Sequence, residues 1–160
     1  GRVMPSAINR NPTEAQKEAG NYAKDHVSIH GLDITVENAK GHERSGVGKD
    51  GKPWSVSLPA HYGYLKRSEG ADGDHVDVYL GPHKKSPRVW VIDQRDAETQ
   101  KFDEHKVFVY FDSKAQVIST YKKAFSDGKA HQRLGAIHEM SIDAFKDWLK
   151  NGDTTKALAA

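Results

Sequence analysis

The chain has 160 residues, of which 36% are hydrophobic and 29% are charged, a composition typical of one globular domain with a core of its own. Its 24 basic and 22 acidic residues give a formal charge of +2, which argues against the large basic excess of proteins that bind the nucleic-acid backbone. No cysteine is present, which excludes disulfides and cysteine-ligated zinc, and no apolar run approaches the roughly 18 residues of a membrane span, so we expect a cytoplasmic protein.

The periodicity of the chain predicts a single domain over residues 11–152. Residues 1–10 show no period and are expected to be disordered or foreign to the domain, and residues 153–160 are expected to form a C-terminal tail. A first helix is predicted over 12–24, because Asn11 suits the N-cap and a proline follows at the first helical position.

After this helix the hydrophobic period changes from helical spacing to two, which predicts strands. Residues 26–38 form two strands or one bent strand around Gly31, and the Asp50-Gly51 pair predicts a hairpin that joins 43–48 to a strand through 54–58. Further short strands are predicted near 76–80, 89–92 and 106–111. Five or six short strands separated by turns are typical of a small barrel or sandwich.

Helical spacing returns in the last third of the chain. Ser113 begins a capping-box pattern and is followed by apolar residues at helical spacing, with Gly128 as the expected end. Ser141 caps a second helix that is expected to stop at Gly152. Since each helix has one apolar stripe to bury, the economical architecture is a barrel with helices packed on its outside.

Three carboxylates, Asp72, Asp74 and Asp77, fall within six residues beside a predicted buried strand. Side chains of like charge at this spacing raise one another's pKa unless they share a cation. Oxygen-only ligands favour Mg²⁺, Mn²⁺ or Ca²⁺, although a calcium EF-hand loop is excluded because His83 stands where its glutamate is required. The residues alone leave open a second interpretation, an acidic turn solvated at the surface.

The spacing of several motifs resembles one enzyme family. Tyr62-Gly63-Tyr64 followed ten residues after Tyr62 by D-G-D-H-V-D-V, then F-D-E-H-K-V and T-Y-K, is similar to the signature of the soluble family I inorganic pyrophosphatases. With H-G-L-D-I upstream, it most resembles the divergent versions in phage and mobile-element proteins. The resemblance implies an α+β, mainly β fold: a five-stranded OB-like closed barrel with two to three helices packed outside.

The same resemblance implies a function and a set of site residues. The function is divalent-metal-dependent hydrolysis of pyrophosphate or a related phosphoanhydride, with two or more Mg²⁺ ions, Mn²⁺ being the alternative. The implied metal ligands are Asp72, Asp77, Glu104, Asp103, Asp93 and Glu37. The implied catalytic residues are Asp74, as acceptor of the proton from water, with Tyr62 and Lys106. The implied contacts to phosphate are Arg44, Tyr62, Lys106, Tyr121 and Lys122.

One pair of these residues has independent support from strand geometry. Glu104 and Lys106 are two apart on a predicted strand and therefore point to the same side, so a metal ligand and a phosphate ligand arise from one strand. Three histidines, His61, His75 and His105, flank the proposed site and are candidates for ligation or acid–base work.

Departures from the family's pattern keep a second function open. Non-matching residues stand at several positions where the family has a proline, a basic residue or carboxylates: His75, Ser57, Gly46 and Thr99. The alternative is a non-catalytic barrel module, part of a larger phage-type protein, that binds a phosphate ligand, nucleic acid or a protein partner. The balanced charge and the acidic cluster make nucleic acid the less favoured partner, and the sequence does not specify an oligomeric state.

Overall fold

The computed structural model describes residues 25–48, 50–66, 68 and 75–158. The predicted helix over 12–24 and two carboxylates of the acidic cluster, Asp72 and Asp74, lie outside the described residues.

Nine strands and three helices occupy the described part of the chain. The strands are β1 (Asp25–Ile29), β2 (Leu32–Asn38), β3 (Glu43–Val47), β4 (Pro53–Ser57), β5 (His61–Leu65), β6 (Asp77–Leu80), β7 (Arg88–Arg95), β8 (Phe102–Val109) and β9 (Leu134–Ser141). The helices are α1 (Lys114–Lys123), α2 (Ala130–Arg133) and α3 (Ile142–Asn151). Among the described residues no helix is both long enough and apolar enough to cross a membrane.

Seven strands form one mixed sheet in the order β1-β2-β5-β6-β8-β7-β9, and β3 pairs with β4 in a separate hairpin. All neighbours in the large sheet are antiparallel except β6 and β8. The mainly β fold with helices is thus confirmed. The closed five-stranded barrel is not, because β9, which was not predicted, adds an edge strand and the described sheet stays open from β1 to β9.

Turn residues explain two hairpins, of which the second was predicted as a hairpin from the sequence. The β1–β2 connection consists of His30 and Gly31, whose φ angles are 53° and 80°, and two consecutive positive φ angles define the tight turn favoured between antiparallel strands. Residues 26–38 are therefore two strands. In the β3–β4 hairpin Gly51 has φ 77°, and the Lys52 amide donates to Asp50 Oδ1 at 2.9 Å, which confirms the predicted turn.

Gly63, at the centre of the Tyr-Gly-Tyr motif, is required by the approach of two strands. A Cβ at this position would lie 1.9 Å from the carbonyl oxygen of Thr35 on β2, far inside contact distance. Only glycine permits this spacing, and the flanking Tyr62 and Tyr64 are held in register by it.

Each face of the sheet has its own core. One face packs against α3 through Phe145 and includes Val107 and Val109; we call it the α3 face. The other packs against α1 through Tyr121 and includes Phe108; we call it the α1 face. Alternation along β8 separates the two sets, as its period of two requires.

The helix starts predicted at Ser113 and Ser141 are confirmed, and one predicted end is wrong. Ser113 and Ser141 accept hydrogen bonds from backbone amides in the first turns of α1 and α3, and α3 ends at Gly152 as expected. Helix α1 ends at Lys123 instead of continuing to Gly128, because the Ala124 amide closes a tighter turn onto the Tyr121 carbonyl.

Candidate active site

The ammonium group of Lys106 is the centre of a polar cluster on the α1 face. Its Nζ lies 2.7 Å from Asp77 Oδ2 and 2.7 Å from Glu104 Oε1, and it donates to the Tyr62 hydroxyl at 2.9 Å. We call these four residues the Lys106 cluster. Its three charged members are in direct contact, and their formal charges sum to −1.

Strand register brings these four side chains together. Asp77 on β6 is the direct partner of Lys106 in the parallel β6–β8 pair, and Glu104 lies two residues earlier on β8, so all three share one face. Tyr62 on β5 is paired with Tyr79 of β6, one step along the same face from Asp77. The cluster therefore spans three adjacent strands.

Burial and charge act in opposite directions on Lys106. The residue is only 8% exposed, and desolvation by itself lowers the pKa of its amine. The neighbouring Tyr62, Asp77 and Glu104 outweigh this and raise the pKa of Lys106 well above its usual range. The amine is therefore a fixed cation at all ordinary pH values.

Tyr62 is a neutral hydrogen-bonding group. Burial raises the pKa of its hydroxyl, and the nearby Lys106 only partly offsets this effect. The Tyr62 ring packs against Tyr79 at 4.6 Å between centroids and lies 5.3 Å below the guanidinium carbon of Arg44. This cation–π contact connects the β3–β4 hairpin to the cluster and places a second cation beside it.

A second chain of contacts leads from helix α1 to the same end of β8. The Tyr121 hydroxyl donates to Gln94 Oε1 at 2.8 Å, and Gln94 Nε2 donates to Asp103 Oδ2 at 3.1 Å. Gln94 is the strand partner of Glu104. Tyr121 is thus held by a neutral amide on the α1 face, and Lys122 is exposed on the same helix.

The donor set of the Lys106 cluster fits a hard cation. Asp77 and Glu104 already place one carboxylate oxygen each at 2.7 Å from a single positive atom, and oxygen donors are those that Mg²⁺ and Mn²⁺ prefer. Among the described residues, no group of three histidine or carboxylate side chains is arranged to hold a metal. Asp77 and Glu104 are therefore the two carboxylates that the contacts of Lys106 bring together for such a site.

Asp93, which was expected among the metal ligands, lies on the α3 face, away from the Lys106 cluster. Its Oδ2 is 2.8 Å from His138 Nε2, its Oδ1 is 3.2 Å from His105 Nε2, and the Leu158 amide donates to Oδ1 at 3.0 Å. We call Asp93, His105 and His138 the Asp93 cluster. Asp93 lies on the α3 face because side chains alternate along a strand, so that Asp93 and Gln94 point to opposite faces of β7.

The remaining predicted residues are distributed around these clusters. Glu37 lies in a β-bulge of β2, next to the residue that pairs with Tyr62. His75 stacks on Tyr64 at 4.8 Å between ring centroids, and His61 hydrogen-bonds through Nδ1 to the amide of Lys40.

Two residues of the α1 face were not predicted from the sequence. Gln94 carries the hydrogen bond of Tyr121, and Tyr79 lies under Tyr62 and stacks on Phe108 at 4.9 Å. The alternation of Trp90, Ile92 and Gln94 along one strand predicts that Gln94 lies on the same face as the two apolar residues. Because metal ligands are expected to be carboxylates, the sequence pointed to the adjacent Asp93 instead.

Comparison with known protein families identifies one family. Residues 14–150 match the profile of the family described as Inorganic Pyrophosphatase. No curated protein matches the sequence significantly. A crystal structure of an inorganic phosphatase from Anaplasma phagocytophilum matches over 82% of this chain and 91% of that chain, with 15% identity and a TM-score of 0.44, a level that supports no conclusion about activity. From the profile match, which covers most of its length, the chain belongs to the inorganic pyrophosphatase family.

Proposed function

We propose that this protein hydrolyses inorganic pyrophosphate or a related phosphoanhydride with the help of a divalent metal ion. The observation that carries the proposal is the Lys106 cluster, in which one buried ammonium is shared by two carboxylates and a phenol. Phosphoryl transfer needs carboxylates to hold metal and cations to neutralise phosphate oxygens. This cluster supplies both on one face of three strands.

Lys106 is the proposed cation for the phosphate group. Its amine stays protonated because Tyr62, Asp77 and Glu104 outweigh the desolvation of the side chain, so it can neutralise charge on a departing phosphate without moving a proton. Burial strengthens this effect, because an ammonium in a water-poor site interacts more strongly with an anion than one in bulk water.

The aromatic and basic residues around Lys106 orient the substrate in this proposal. Tyr62 keeps its proton because burial raises its pKa, so its hydroxyl can donate to a phosphate oxygen. Arg44, 5.3 Å from the Tyr62 ring, adds a second cation. Tyr121 and Lys122 on α1 are the proposed contacts to the second phosphoryl group.

Asp77 and Glu104 are the residues of the Lys106 cluster that would hold the metal, with Asp72, Asp103 and Glu37 as the proposed further ligands. When bound, Mg²⁺ or Mn²⁺ supplies charge neutralisation and lowers the pKa of the attacking water. Asp74 is the proposed acceptor of the proton that this water loses. A cytoplasmic location and a phage or mobile-element origin, within a larger protein, belong to the same proposal.

The experiment is phosphate release from pyrophosphate by wild type, Glu104→Gln and Glu98→Gln, with Mg²⁺, with Mn²⁺ and with a chelator. Glu98 is exposed in the β7–β8 turn and makes a matched control for the loss of one carboxylate. We expect metal-dependent release by wild type and by Glu98→Gln, and a reduction of about 100-fold in Glu104→Gln, the scale of losing one electrostatic contact in a transition state.

Absence of release with either metal, or equal release by wild type and Glu104→Gln, would contradict the proposal. Retained binding of pyrophosphate without turnover would favour the alternative, a non-catalytic module that binds a phosphate ligand.

A further inference from the structure

A cavity of about 540 Å³ lies at the end of β6 opposite to Asp77. It is bounded by the beginning of β5, the end of β6, and the exposed flank of α1, and Leu80, Ser119 and Thr120 are among its lining residues. Cavities of this size are typical of sites for small organic ligands. Asp77 begins β6 and Leu80 ends it, so the cavity and the Lys106 cluster belong to different ends of the strand.

The charge of this cavity is opposite to that of the Lys106 cluster. None of the described residues that line it is acidic, whereas Lys40, His61 and His83 are basic. Ser119 and Thr120 add two hydroxyl groups from α1, a helix of 10 residues whose first turn also lines the cavity. The cavity therefore offers the Lys40 cation and several hydrogen-bond donors to an anion, and the carboxylate of Asp112, which contacts His83, is not among its lining residues.

A closed hydrogen-bond network fixes one wall of the cavity. His83 Nδ1 is 3.0 Å from Asp112 Oδ2, Gln116 Nε2 is 2.9 Å from His83 Nε2, and the Asp112 amide donates to Gln116 Oε1 at 2.9 Å. In this arrangement His83 donates through Nδ1 and accepts from the amide of Gln116. These two hydrogen bonds orient the side-chain amide of Gln116, and its second N–H can donate to a ligand in the cavity.

The tautomer of His61 follows from its backbone contact. Its Nδ1 accepts a hydrogen bond from the Lys40 amide at 2.9 Å, so the ring proton of the neutral form must lie on Nε2. In the neutral ring Nε2 is therefore the donor atom, and the same contact holds Lys40 next to His61 at the edge of the cavity.

Apolar side chains form the rest of the wall. Pro59, Leu80, Pro82 and Phe111 line the cavity together with the polar groups. A free inorganic ion leaves these surfaces in contact with water, whereas an organic body covers them and gains the free energy of burying apolar area.

We propose that this cavity binds an organic phosphate monoester of the size of a nucleoside monophosphate. The phosphate contacts Lys40, His61 and the hydroxyls of α1, because its three oxygens match several separate donors better than the two oxygens of a carboxylate do. The organic body lies against Phe111 and the prolines, and Gln116 hydrogen-bonds to it. No metal is needed, in contrast to the proposed catalytic site.

The test is calorimetric titration of the full chain with adenosine monophosphate in the presence of a chelator. Lys40→Glu reverses the charge at the cavity, and Lys84→Glu makes the same change at an exposed lysine outside the lining. Ala115→Trp fills the cavity from an exposed helix position without changing charge. We expect binding by wild type and Lys84→Glu, and affinity at least about tenfold weaker in the other two variants, the scale of one lost charge-assisted hydrogen bond.

Adenosine and inorganic phosphate should each bind more weakly than adenosine monophosphate, since each lacks one half of the ligand. Lys106→Met should bind adenosine monophosphate as wild type does. The inference is overturned if the nucleotide does not bind, if Lys40→Glu and Ala115→Trp bind it unchanged, or if Lys106→Met removes binding, which would assign the nucleotide to the Lys106 cluster.

Discussion

The two polar clusters of this protein share strand β8 and differ in how their charges are balanced. In the Lys106 cluster one cation is shared by two carboxylates, and the side chain of Asp77 is 27% exposed. In the Asp93 cluster one carboxylate is surrounded by donors from His138 and from the Leu158 amide, with His105 in contact, and its side chain is 5% exposed.

Under the proposed function, this difference distinguishes a site that binds ligands from a structural contact. A buried carboxylate whose oxygens already accept hydrogen bonds has little to offer a metal ion, and its removal leaves donors without acceptors. A group with excess negative charge that remains open to solvent can accept a further cation. We therefore expect variants of the Asp93 cluster to change stability, and variants of the Lys106 cluster to change catalysis.

The largest expected effect on stability is that of Asp93→Ala. The substitution removes the acceptor for His138 and for the Leu158 amide, and buried donors that lose their partners cost about 1–3 kcal/mol each, so we expect a loss of about 4 kcal/mol in the free energy of unfolding. Chemical denaturation measures this loss. Phosphate release per folded molecule should stay within about twofold of wild type, and a metal role for Asp93 would be supported if release collapsed while stability was kept.

Lys106→Met should change two properties of the Lys106 cluster in opposite directions. Turnover should fall by about 100-fold, because the cation for the phosphate is lost. Affinity for Mg²⁺ should rise, because the ammonium no longer competes for Asp77 and Glu104. Calorimetric titration with Mg²⁺ measures the second effect, with Lys101→Met, an exposed lysine just before β8, as control. Unchanged or weaker Mg²⁺ binding would show that Lys106 does not compete with the metal for these carboxylates.

Tyr62→Phe is a smaller change in the Lys106 cluster, because it removes one hydroxyl group and no charge. The ring still packs on Tyr79 and under Arg44, and only the hydroxyl that contacts Lys106 is removed. Loss of one hydrogen bond to a charged group corresponds to about 1.5 kcal/mol, so we expect kcat/KM to fall about tenfold, and the free energy of unfolding to fall by no more than about 1.5 kcal/mol because Lys106 keeps Asp77 and Glu104 as partners. Steady-state kinetics together with a melting curve measure both, and a fall in stability without a fall in kcat/KM would argue for packing alone.

The smallest expected effect lies outside both clusters, at the ion pair of exposed Asp127 and half-buried Arg133. Hydrogen bonding by Arg133 lowers the pKa of Asp127 to about 2, below its value in the unfolded chain, so the pair stabilises the fold above about pH 4 and loses this effect as the pH falls through about 2. Because Asp127 is exposed to solvent, Asp127→Asn should cost less than about 1 kcal/mol at pH 7. Denaturation at pH 7 and near pH 2 should show the difference from wild type disappearing at the lower pH.

Local rules predicted a large part of the fold. The period of two placed Glu104 and Lys106 on one face, the Asp50-Gly51 pair gave its hairpin, and Ser113 and Ser141 gave the helix starts. Each of these features depends on neighbours in sequence, so the residues themselves carry the signal.

The features that were missed depend on distant partners. Strand β9 has a weak alternation of half-buried residues and is stabilised by pairing with β7, which the sequence does not show. The register of β7 against β8 decides whether Asp93 or Gln94 lies on the same face as Glu104. A shift of one residue in this register would exchange the two side chains between the faces of the sheet. The closure of the sheet likewise depends on edge strands far apart in the chain.

The most direct test of the proposed function is phosphate release from pyrophosphate by Asp77→Asn. Asparagine keeps the shape of the side chain and a hydrogen-bond acceptor for Lys106, so the substitution removes charge with little change in packing, and Asp143→Asn, at the exposed start of α3, is the matched control. We predict that Mg²⁺-dependent release falls at least about 100-fold in Asp77→Asn and stays near the wild-type value in Asp143→Asn. Equal release by Asp77→Asn and wild type would contradict the assignment of the Lys106 cluster as the catalytic site.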